Sequence, residues 1–167
     1  MMHVLLQWAF FCAVLCCASF HATSQINQAF DDGAEWKEQE IKLPPYPKRE
    51  NLVSAQISGI TGFTFLVDVT SIEVGSDGIV RFVVLARSMA GAENISFEGI
   101  RCSTRERRIY ATGRVNGTWF PPRNSEWVAY QGTSVNSYHE SFARQYFCID
   151  RTVVPSAARA IELLRRK

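Results

Sequence analysis

Five side chains in this sequence are of types that do chemistry, and they fall into two groups: Glu98, Arg101 and Cys102 at the end of one extended segment, and His139 and Cys148 near the carboxy terminus. Two readings follow from them. In the first, Cys102 is a thiolate nucleophile whose pKa Arg101 lowers and for which His139 acts as base; a related hydrolase would use Glu98, Arg101 and His139. In the second, Cys102 and Cys148 pair as a disulfide. With the first 24 residues removed as a signal peptide, an even pair of cysteines remains in an exported chain, which favours the second, and closing the loop between them would contribute about 4 kcal/mol in the chain-entropy model. Nothing in the sequence aligns His139 with a nucleophile, so convergence of Glu98, Arg101 and His139 in one pocket is the observation that separates the readings.

Other constellations are weaker. Beyond the first 24 residues, one histidine, two separated cysteines and scattered carboxylates do not supply a metal-ligand set, so neither a metal nor another cofactor is expected. Glu93 and Glu98 lie an odd number of residues apart on a strand, hence on opposite faces, which suits solvated charges better than a paired acid and base. Trp119, Phe120, Trp127 and Tyr130 cluster around a Pro-rich loop and, with Glu98 and Arg101, form the candidate binding surface. The formal net charge of +2 over 167 residues gives no basic field for nucleic acid.

These residues need elements to hold them. The stretch from Asp77 to Cys102 organises the rest: from Ile79 the alternation puts Val80, Phe82, Val84 and Ala86 on one face of a strand and Ile79, Arg81, Val83, Leu85 and Arg87 on the other. The first face is core. The second is apolar with two arginines, as expected of a partly covered face whose guanidinium groups reach solvent over their aliphatic stems. Ser76-Asp77-Gly78 is turn chemistry and makes residues 71–87 a hairpin. A second turn at 89–92 leads to a strand in which Ile95, Phe97 and Gly99 alternate with Asn94, Ser96 and Glu98, completing an antiparallel meander. Further strands are expected at 52–58, 64–70 and 109–114, and Asn116-Gly117 marks another hairpin. The spacing of Tyr138, Phe142, Gln145 and Tyr146 predicts a helix over 135–147, with its aromatic stripe on the sheet. A last helix has Pro155 in its first turn and an apolar stripe of Ala157, Ala160, Ile161 and Leu164.

The fold expected is α+β: an antiparallel meander of five to seven strands with two carboxy-terminal helices on one face. Residues 1–24 read as a signal peptide, since Val4 to Ala18 is apolar apart from Gln7 and too short for a membrane span, with the cut before Gln25. Acylation at Cys17, giving an outer-membrane lipoprotein, and retention as an uncleaved anchor are the alternatives; only these bring a membrane into contact. Residues 25–50 are a polar lead in which Leu43-Pro44-Pro45-Tyr46-Pro47 fixes extended backbone, read as a tether, and the globular domain follows over 51–167.

The runs EWKEQEIKLPPYPKRENL, VGSDGIVRFVVLARSMAGAENISFEGIRC, RRIYATGR, NGTWFPPRNSEW and YFC, in this order and spacing, resemble the CNP-type family, named for a cryptic neisserial protein, of small exported proteobacterial proteins. The likeness covers residues 35–165 or so. It implies an envelope-associated protein, the paired Cys102 and Cys148 fit the family pattern, and no catalytic or binding residue carries over. Together with the residues themselves, it gives the expectation of a non-enzymatic periplasmic module that binds an envelope protein or cell-wall component, the alternative being a small envelope hydrolase.

Overall fold

In the computed structural model, which describes residues 35–57, 60–130 and 138–166, seven strands form one antiparallel sheet, the first six in chain order. They are β1 (Leu52–Ala55), β2 (Phe63–Val74), β3 (Ile79–Ser88), β4 (Glu93–Arg101), β5 (Glu106–Gly113), β6 (Trp119–Phe120) and β7 (Val128–Ala129); β6 and β7 pair with opposite ends of β5. Short connections make this order, because each turn carries residues suited to reverse the chain. Gly78, Gly91 and Gly117 all adopt positive φ at the hairpin ends. The fold is thus the expected α+β meander. The signal peptide, Gln25, Cys17 and part of the aromatic helix lie outside the described residues.

The long strand β2 carries a register shift between Asp68 and Glu73. There Ser71 Oγ accepts the Val83 amide at 2.8 Å, and the Asp68 carboxylate accepts from the Thr70 amide at 2.9 Å. Local side chains thus replace ladder bonds that the bulge removes.

On one face of the sheet, Val67, Val80, Phe82, Val84 and Ile100 meet Phe142, Phe147, Ala160 and Leu164 in the main core. The carboxy-terminal elements that supply these are α1 (Tyr138–Phe142), a π-helical turn (Ala143–Phe147), the small hairpin β8 (Cys148–Ile149) and β9 (Thr152–Val153), and α2 (Ala157–Arg165). Among the described residues, the predicted aromatic helix is therefore α-helical over Tyr138–Phe142 and π-helical over Ala143–Phe147. Phe142 and Phe147 are five apart, and a π turn brings residues at that spacing onto one side. Their rings stack at 5.7 Å and both lie against Phe82, at 5.3 and 4.5 Å. In α2, Ser156 is the N-cap, accepting the Arg159 amide at 3.2 Å, so Pro155 precedes the cap instead of occupying the first turn. The disulfide Cys102–Cys148, spanning 46 residues, ties the end of β4 to the end of the π turn.

On the other face, Val83, Phe97 and Ala111 form a second, smaller core with Ile41, Ile95, Tyr110 and Trp119. What closes it is the segment read as a tether. Residues 36–47 form a strap across this face, within one compact unit with the sheet, Trp36–Lys167. The strap is anchored at both ends: Trp36 Nε1 donates to Asp77 O at 2.8 Å, and Tyr46 OH donates to Arg114 O at 2.7 Å. The physical reason lies in β3, whose second face carries Ile79, Val83 and Leu85, all buried. That apolar area needs a cover, and the extended Pro-rich backbone supplies one.

Candidate functional site

Arg81 sits under the strap and does not reach solvent: it is 2% exposed. Its guanidinium forks onto Asp77, with Nη1 to Oδ1 at 3.2 Å, and Nη2 lies 3.6 Å from Glu38 Oε1. Burial pushes the Asp77 carboxyl up, but the bonds from Arg81 and the Gln39 amide outweigh it and hold the group below its ordinary value. Gly75 stands at the same turn, where a Cβ would fall 2.2 Å from Asp77 Oδ1. A side chain there would displace the carboxylate, so the turn needs glycine.

Glu38 is the hub of the outer face. Its carboxylate accepts from Tyr110 OH at 2.6 Å, from Arg108 Nη1 at 2.6 Å and from Trp127 Nε1 at 3.1 Å. Tyr110 in turn lies over Gly99, where a Cβ would come within 2.5 Å of its oxygen. Replacing Glu38 by alanine would leave these partly buried donors facing one another. The expected cost is about 2 kcal/mol, measured by urea unfolding, with a change in tryptophan emission from Trp127. A Glu38→Ala protein as stable as its parent would mean that the strap is held by its apolar contacts alone.

The sequence-derived candidates divide between the two faces. Arg101, Trp119 and Trp127 are on the outer face and each is engaged by the strap. The Arg101 guanidinium lies 3.6 Å from the Trp36 ring centre, Trp119 Nε1 donates to Pro44 O at 2.8 Å, and Trp127 bonds Glu38. Glu98 is on the inner face and fully buried, while Tyr130 borders a cleft beside the disulfide. They do not form one surface.

Glu98 is where buried polar groups concentrate. Its Oε2 lies 2.8 Å from His139 Nε2, and its Oε1 accepts from Tyr138 OH at 2.8 Å and from Ser96 Oγ. Strand alternation places Ser96 and Glu98 on the helix side, and α1 delivers two adjacent ring residues onto them, with Tyr138 stacked on His139 at 3.8 Å. Glu98 is therefore no solvated charge. Burial alone would raise its pKa, but the charge and hydrogen bond of His139, with the bonds from Ser96 and Tyr138, hold it below the usual glutamate range. Tyr138, desolvated and facing the carboxylate, is pushed well up.

Two of the three hydrolase candidates thus meet, but the third, Arg101, is on the far side of the sheet. Ser96 bonds the carboxylate and not the imidazole in this network, which is the wrong order for a serine activated by histidine. Glu98 acts as an acceptor for surrounding donors. Sequence reasoning missed Trp36, Glu38, Tyr110 and Tyr138; the signal for the first three was the apolar second face of β3, which demanded a cover.

The fold and its buried networks thus define an antiparallel meander closed by helices and a disulfide on one face and by a strap on the other, and the comparisons with known proteins give its family. The chain belongs to the CNP1-like family, whose model matches residues 31–165. It is similar to Cryptic neisserial protein 1 of Neisseria gonorrhoeae (strain ATCC 700825 / FA 1090), at 28% identity over 130 residues, which cover 68% of this chain and 64% of that relative. No solved structure matches.

Proposed function

We propose that this protein is an exported, periplasmic domain that binds or braces another component of the cell envelope, a protein or a cell-wall polymer, without transforming it. The observation that carries the non-enzymatic part is the separation of Glu98 and His139, sealed together in the core, from Arg101 on the opposite face. The hydrolase reading needs all three at one solvent-facing point. Export is supported by the apolar stretch at the amino terminus and by the Cys102–Cys148 bridge, since disulfides persist in oxidising compartments.

Intact mass of the protein purified from its native envelope, alkylated with and without prior reduction, tests this. A chain beginning at Gln25 that takes up two alkyl groups only after reduction is the expected result. Acyl chains on Cys17 would instead make it a lipoprotein, and thiols that alkylate without reduction would argue against an oxidising compartment and reopen chemistry at Cys102.

A further inference from the structure

Beside the disulfide is a cleft of about 510 Å³ between the turn after β4, the π turn, the β8–β9 hairpin and α2. Arg105, Arg144 and Arg159 line it, against the two acidic side chains Glu140 and Asp150. Arg159 is paired with Glu162 at 2.7 Å, but neither Arg105 nor Arg144 has an ion-pair partner among the described residues. With Arg159 taken up by Glu162, Arg105 and Arg144 balance Glu140 and Asp150 in charge, and what the cleft offers an anion is two guanidinium groups that no carboxylate of the described residues occupies within ion-pair distance. Its remaining walls include the Tyr130 ring, Ala143 and Leu163.

The backbone adds a second observation. Arg105 and Asp150 have φ of +59° and +56°, and among the described residues they are the non-glycine positions with positive φ. Both border this cleft. An aspartate tolerates the left-handed region; an arginine has no local bond that favours it, and a glycine would serve the turn better. A long cationic side chain kept at such a point is a local backbone cost, the pattern seen where a side chain is needed for binding.

We infer that the cleft is a binding site for a small organic oxyanion, a carboxylate or a phosphate monoester, held by Arg105 and Arg144 with its apolar body against Tyr130 and Leu163. Guanidinium forks match both oxyanions, and the volume suits a ligand of dipeptide size. This rests on the binding reading above and names its ligand class.

The test is a titration of the whole mature chain, followed by the side-chain Nε–H signals of its arginines in NMR. The probes are N-acetyl-dialanine, the carboxamide of that peptide, and phenyl phosphate. Saturable shifts at Arg105 and Arg144 with one of the two acids, none with the carboxamide, and binding weakened by about tenfold or more in Arg144→Gln support the site; the acid that saturates identifies the source of the oxyanion. Arg105→Gly removes a cation while relaxing the backbone, so it should weaken binding and still raise thermal stability. A carboxamide that binds as well as the acid, unchanged affinity in both variants, or no saturation by either acid overturns the site. The mass experiment stands whatever this titration shows, so failure here and failure of the export reading are distinct.

Discussion

Replacing Glu98 by alanine is expected to lower the unfolding free energy by about 3 to 5 kcal/mol, the cost of removing one partner from a buried, hydrogen-bonded Glu–His pair. The reason is what remains: His139 at 1% exposure, with Tyr138 and Ser96, loses the acceptor toward which all three point. No water-filled space is gained that would solvate them at no cost, since Phe82 and Phe142 pack nearby in the same core. The effect has a pH signature. Because the folded carboxyl is held below its unfolded value, its contribution is present above about pH 4.3 and is lost as pH falls through the folded value. The parent should therefore lose stability on acidification below about pH 4.3 more steeply than Glu98→Ala. Urea unfolding of both proteins over this range decides it; parallel pH profiles, or a loss under 1 kcal/mol at neutral pH, would show that the pair is structurally idle.

Reduction of the Cys102–Cys148 bridge should be nearly as costly, about 4 kcal/mol for a closed loop of 46 residues. For a domain of this size that corresponds to a fall in Tm of roughly 10 to 15 °C. The bridge joins the sheet to the π turn whose Phe147 is fully buried, so its loss frees the carboxy-terminal elements as a group. A Cys102→Ala/Cys148→Ala protein should show the same fall and no further response to reductant. Calorimetry of both proteins with and without dithiothreitol measures this, and a parent indifferent to reductant would refute it.

The meander was legible because alternation and turn chemistry are local. Val80, Phe82 and Val84 declare their face within five residues, and Asp77-Gly78 and Asn116-Gly117 announce their hairpins. The disulfide was legible from cysteine count and compartment. The strap was not, because its partners lie far along the chain: Glu38 meets Trp127 across 89 residues, and no local pattern encodes that. Proline-rich composition looks the same in a free tether and in a cover pressed on a sheet. Glu98 was misread for a related reason. Alternation put it opposite Phe97, and Phe97 seemed the core residue; with both faces of the sheet covered, the polar side of β4 is buried too.

That double cover bears on the order of events when the chain assembles. The strap is synthesised before the sheet, yet its docking groups come much later: Tyr46 waits for Arg114 over 68 residues, and Trp36 cannot stack on Arg101 until β4 exists. Hairpins close early because their loops are short, whereas contacts of such separation pay their loop entropy last. The first piece of the domain to emerge is thus the last to find its place, and until it does, Val83, Phe97 and Ala111 face water on a half-finished molecule. That interval is when a chaperone would have something to hold.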